Sequence, residues 1–116
     1  MRKLLIPIQG DYVAPRFDLA VELLIVRFSD DGQEEPRTII MERPSEEALC
    51  QMIVEEQVTD LVCGGIDEVH YNFLLWKKVD VIDGVIGGWC RALEKAVCGD
   101  LKAGEILLNG EGALAL

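Results

Sequence analysis

Apolar positions follow two rhythms along this chain. Up to about residue 42 they come in short, strand-like runs. Lys3 to Ile8 is a brief apolar strand. Leu19 to Phe28 is a longer one, with Val21, Leu23, Ile25 and Arg27 pointing opposite to Leu24, Val26 and Phe28. Asp30-Asp31-Gly32 is a hairpin signal, so Glu35 to Glu42 is expected to pair antiparallel with its predecessor. Pro36 puts that third run at a sheet edge, because proline has no N–H to give to a ladder.

Helical spacing then takes over. Ser45 is a good N-cap, with Glu46 and Glu47 where the helix dipole favours acid and Ala48, Leu49, Met52 and Ile53 on one apolar face. Asp60 to Cys63 is a short strand ending at Gly64-Gly65. Asp67 caps a second helix running through Lys78, with Val69, Phe73 and Trp76 on one stripe. Val79 to Ile82 is a further strand, ending at Asp83-Gly84. A third helix spans Gly88 to Cys98, with Trp89, Leu93, Ala96 and Val97 inward and Gly99 as its stop. The order β-β-β-α-β-α-β-α predicts an α/β fold: a five-stranded mixed sheet flanked by helices. Residues 1–101 form one domain, and 102–116 form an apolar, glycine-containing tail that has no assigned structure.

Charge narrows the function. A net charge of −10 argues against nucleic acid, whose phosphates need clustered Lys and Arg. An anionic ligand would need a local positive patch. No apolar run approaches the roughly 20 residues of a membrane span. The opening Met1 to Ile8 is too short in its apolar part for a signal peptide, and the chain reads as cytoplasmic. Cys50, Cys63, Cys90 and Cys98 contain no C-x-x-C pair, and His70 is the single histidine, so no zinc-finger spacing exists. Buried, reduced thiols are the expectation for at least three of the four.

Candidate chemistry gathers beyond the carboxyl ends of the parallel strands. Val13-Ala14-Pro15-Arg16-Phe17-Asp18 follows the first strand. It carries an arginine and a carboxylate on an otherwise apolar connection. Its plain structural reading is a turn in which Arg16 and Asp18 pair locally. Gly64 and Gly65 follow the fourth strand, and Gly84 and Gly87 follow the fifth. Glycines there serve tight turns, or permit close backbone approach to an anion at a helix start. Cys63 lies before a glycine pair and a helix, where a thiol can be activated or can simply pack. His70 is either an ordinary helix histidine or a ligand.

The strings Ile6-Pro7-Ile8, Val13-Ala14-Pro15-Arg16-Phe17-Asp18-Leu19-Ala20 and Leu24-Ile25-Val26 resemble the opening of the dinitrogenase iron–molybdenum cofactor family, the NifX-like carriers and the C-terminal domain of NifB-like proteins. Asp60-Leu61-Val62-Cys63-Gly64-Gly65-Ile66 and Gly84-Val85-Ile86-Gly87-Gly88 through Leu101 resemble its later turns. The resemblance covers roughly residues 3–101. It implies a ribonuclease H-like fold without the nuclease's acidic site, and the first strand indeed has no acid. It also implies non-covalent carriage of an anionic metal–sulfur cluster, iron–molybdenum or a related molybdenum or iron species. Arg16, Asp18, Cys63, Gly64, Gly65, Gly84 and Gly87 fall where such a cluster would be held. Where the family continues with small residues, this chain has Asp67-Glu68-Val69-His70. Two acids there weaken an anion site, while His70, with Cys63, offers a metal ligand.

The leading expectation is thus a non-enzymatic, nitrogen-fixation-related cluster carrier, with cluster-donor or acceptor proteins as partners. The alternatives are a protein-interaction or regulatory module without metal, and a Cys63-dependent enzyme. A homodimer through the 35–42 edge or the tail is compatible with the sequence.

Overall fold

The computed structural model describes residues 2–107. Residues 108–116, the distal part of the predicted tail, lie outside the described residues. A central strand, β1 (Arg2–Gln9), is flanked by β3 (Glu22–Ser29), which is antiparallel to it, and β6 (Asp60–Val62), which is parallel; β7 (Asp80–Ile82) continues in parallel beyond β6. β5 (Arg37–Ile40) and the two-residue β4 (Gly32–Gln33) pair antiparallel with the outer side of β3. The mixed sheet therefore follows the predicted order. It gains two short strands, β4 and β2 (Tyr12–Val13), which folds back onto β1 through a turn at Gly10, where φ is +61°.

β1 is buried on both faces, which is why it reads as a continuous apolar run. Leu4, Ile6 and Ile8 join Leu24, Val26, Phe28 and Val62 under helix α3 (Trp89–Val97). Leu5, Leu23, Ile25, Leu61 and Cys63 face helices α1 (Glu46–Glu55) and α2 (Glu68–Trp76) on the other side. The alternation predicted for Leu23 to Phe28 is the alternation between these two cores. Ser45 and Asp67 cap α1 and α2 through their side chains, accepting from the N–H groups of Ala48 and His70. Gly99 follows α3 at φ +79°.

Two expectations need correction, and two others gain detail. Leu19 is not in a strand: Phe17–Leu19 forms a single 3-10 turn that buries Phe17, and β3 begins at Glu22. On α1, Cys50 rather than Ala48 turns inward. On α3, Leu93 is buried and Trp89, Ala96 and Val97 pack partly buried against the core as expected, with Ala92 fully buried beside them. The Val69, Phe73 and Trp76 stripe of α2, for which the sequence gives no facing, points outward, with Val69 and Trp76 more than 70% exposed, and Leu74 alone carries that helix into the core. The near part of the tail packs: Leu107 is buried beside Leu101 in the core under α3, and Ile106 bridges Ile86 in parallel.

Candidate functional site

The Val13–Asp18 stretch is stitched to three elements by its backbone. Ala14 N–H donates to the Pro7 carbonyl at 2.8 Å, Val13 N–H to Gly87 at 2.9 Å, and Phe17 N–H to Gly65 at 2.8 Å. Gly65 N–H returns a bond to the Pro15 carbonyl at 2.8 Å, so Arg16 and Gly65 form a parallel bridge. The opening loop thus lies directly against both glycine turns. Between them is a cleft of about 510 Å³, walled by Gln9, Tyr12, Val13 and Pro15 on one side and Gly64, Gly65 and Gly84 to Gly87 on the other.

The glycines have steric reasons of their own. A Cβ on Gly64 would stand 2.5 Å from the Ala14 carbonyl oxygen, and one on Gly87 would stand 2.6 Å from Leu107. Gly84 adopts φ +69° while its N–H closes the turn onto the Gly64 carbonyl at 2.8 Å. Among the described residues, the N–H groups of Gly64, Gly87 and Gly88 donate to no backbone carbonyl. The cleft is therefore walled by the backbone of the glycine turns together with the side chains of Gln9, Tyr12, Val13, Pro15, Val85 and Ile86, and two of its lining glycines, Gly64 and Gly87, have N–H groups without a backbone partner.

Arg16 does not line this cleft. Its guanidinium makes a two-pronged pair with Asp18, Nε to Oδ1 at 3.0 Å and Nη2 to Oδ2 at 2.5 Å, and its side chain is largely exposed. The bond to Asp18 holds the Arg16 pKa up, and the bond to Arg16 holds the Asp18 carboxyl below its usual range. The local pairing that the residues alone allowed is the one formed. Both side chains face a second cavity of about 280 Å³, which Glu46, Gly65, Ile66 and Asp67 complete.

Cys63 is fully buried in the α1/α2 core, and burial drives its thiol strongly towards the protonated form. It packs within that apolar cluster and lines neither cavity. Burial also pushes the Cys50 thiol up to about 11. Cys90 and Cys98 are exposed, so two of the four thiols are buried rather than three.

His70 lies in the first turn of α2, with Nδ1 2.7 Å from Asp67 Oδ1 and 3.3 Å from Glu46 Oε2. The Glu46 and Asp67 carboxyls share a hydrogen bond that raises the Glu46 pKa and pulls Asp67 down to about 2. The sequence marks Glu46 only as a helix-start acid. Its meeting with His70 joins two helices and has no local signal in the chain.

The arrangement defines a class: a mixed α/β sheet whose glycine turns and opening loop enclose a small cleft. Solved structures share this fold. PH0822 superposes with a TM-score of 0.78 at 16% identity, covering 87% of this chain and 93% of its own. A Methanocaldococcus jannaschii protein provisionally described as a dinitrogenase gives 0.69 at 24% identity, covering 86% and 91%. The apo form of the orange protein from Desulfovibrio gigas gives 0.72 at 14% identity, covering 89% and 92%. No family model matches the sequence, and no curated protein matches it. No described helix is long and apolar enough to cross a membrane.

Proposed function

We propose that this chain binds an anionic metal–sulfur cluster non-covalently in the glycine-walled cleft and acts as a carrier. We read its sheet as ribonuclease H-like, on the order β5-β3-β1-β6-β7 together with the sequence resemblance. The observation that carries the reading is the convergence of the Val13–Pro15 loop with the Gly64-Gly65 and Gly84–Gly87 turns on one cleft. Unused N–H donors along such walls suit the sulfide and oxo surface of a cluster, as they suit other anions. The fold shared with the dinitrogenase-described and orange proteins supports the same reading. An iron–molybdenum species, or a related molybdenum or iron cluster, is the cargo this reading favours.

The roles of individual residues shift from the sequence expectation. The cleft holds its cargo by shape and main chain, so Cys63 acts as a packing residue and Arg16 as the loop's clasp to Asp18. A buried, protonated Cys63 also argues against a thiol-dependent enzyme. Elemental analysis of protein purified without oxygen tests the proposal. Molybdenum or iron with sulfide, lost in Ile86→Glu, is the expected result. Metal-free protein that takes up no cluster would overturn it.

A second reading rests on α2. Val69, Phe73 and Trp76 are exposed together, and Lys77 Nζ lies 4.6 Å from the Trp76 ring. An apolar stripe of this kind suits a partner protein, such as a donor or acceptor of the cargo.

A further inference from the structure

Three side chains at the starts of two helices bring their ligand atoms close together. Glu46 comes from the first turn of α1, Asp67 is the N-cap of α2, and His70 lies one turn further on. A carboxylate oxygen from each acid and an imidazole nitrogen of His70 all lie within 4.8 Å of one another. Among the described residues, neither Glu46 nor Asp67 forms an ion pair with a lysine or arginine. We infer that Glu46, Asp67 and His70 form a site for one divalent transition-metal ion, separate from the cluster cleft.

The spacing fits an ion. Ligand atoms at about 2.0–2.2 Å from a tetrahedral ion stand roughly 3.3–3.6 Å apart. His70 Nδ1 and Glu46 Oε2 are already 3.3 Å apart, and the 2.7 Å between His70 and Asp67 needs to widen by less than about 1 Å. The donor set selects the metal class. One imidazole with two carboxylates suits zinc, manganese, iron(II), cobalt or nickel; calcium and magnesium prefer all-oxygen shells, and copper(I) prefers sulfur. Three protein ligands leave coordination positions open. Glu46 and Asp67 also line the cavity of about 280 Å³ beside Arg16, so an exchangeable ligand can enter from that side. Bound metal would tie the start of α1 to the start of α2. It would also neutralise the two acids that stand next to the Arg16–Asp18 clasp.

Cobalt(II) titration of the full chain tests the site, because its visible d–d bands report coordination directly. A Cys90→Ser/Cys98→Ser background removes the exposed thiols as competing ligands. Saturation at one ion per chain is expected. Glu46→Gln and His70→Ala should each weaken binding about 100-fold or more, since even residues that merely support a ligand contribute 10–100-fold. Both substitutions leave the Asp67 cap and its bond from the His70 backbone N–H in place, and neither residue belongs to the buried core, so circular dichroism of the metal-free variants should match the parent. The absence of a saturable visible band, or an affinity unchanged in either variant, would overturn the assignment. Because the readout is cobalt absorption alone, it stands or falls independently of cluster binding.

Discussion

Gly64 and the Pro15 carbonyl are packed so closely that a Cβ on Gly64 would lie 2.6 Å from the Pro15 oxygen. That contact joins the β6 turn to the opening loop and sets one wall of the cleft. Both partners are main chain, so neither can rotate aside. Gly64→Ala should therefore destabilise the fold by about 1–3 kcal/mol, the usual cost of overpacking. Gly65→Ala should be milder, because its Cβ would meet the same oxygen at 3.4 Å. Urea unfolding of the two variants checks the order. Equal losses would mean that the loop does not seat against Gly64 as described.

Thiol reactivity should separate the cysteines into two pairs. Cys90 and Cys98 are exposed, whereas Cys50 and Cys63 are buried, with Cys50 pushed up to about 11 and Cys63 further still. A disulfide-exchange reagent at pH 8 should titrate two thiols rapidly and the other two only on unfolding. Fast modification of Cys63 in the native protein would reopen its candidacy as a ligand or nucleophile.

The two acids beside His70 should titrate apart in the metal-free protein. Asp67, pulled down mainly by its bond with Glu46, should show a carbon chemical-shift midpoint near 2, with Glu46 above its ordinary 4.5. The depressed Asp67 adds stability above 3.8 that is lost as the pH falls through about 2. The raised Glu46 acts in the opposite sense: its contribution is complete below 4.5 and fades as the pH rises through its folded value. Together the pair contributes most between 3.8 and 4.5. In Glu46→Ala the Asp67 midpoint should climb back towards 3.8.

On α2, burial predicts a sharp contrast. Leu74 is fully buried, and Leu74→Ala should cost about 2–5 kcal/mol. Trp76 and Val69 are exposed, and Trp76→Ser or Val69→Ser should shift stability by no more than about 0.5 kcal/mol. Thermal unfolding of the three variants checks this. If the stripe serves a partner, the serine variants should lose that partner while keeping the fold.

Much of the architecture was legible because it is local. The Asp30-Asp31-Gly32 hairpin, the Ser45 and Asp67 caps and the Gly99 stop each depend on a few adjacent residues. The facing of α2 was not, because that helix is apolar on two sides and only its neighbours decide that Leu74 goes in. Strand alternation held an unused clue to Cys63: it shares the parity of Leu61, whose side chain belongs to the α1/α2 core. The loop's place beside the glycine turns was anticipated in the chain, but the direction of Arg16 was not, since Asp18 two residues on competes for it. The meeting of Glu46 with His70 depends on how α1 and α2 pack, which no local pattern encodes.

Anaerobic titration of the purified chain with an iron–molybdenum or thiomolybdate cluster tests cargo binding most directly. The cleft reading predicts a saturable charge-transfer band at one cluster per chain. Ile86→Glu should abolish it by placing a carboxylate on an exposed cleft residue, whereas Cys63→Ala should retain it. No band with the parent chain, or an undiminished band in Ile86→Glu, would contradict binding in this cleft.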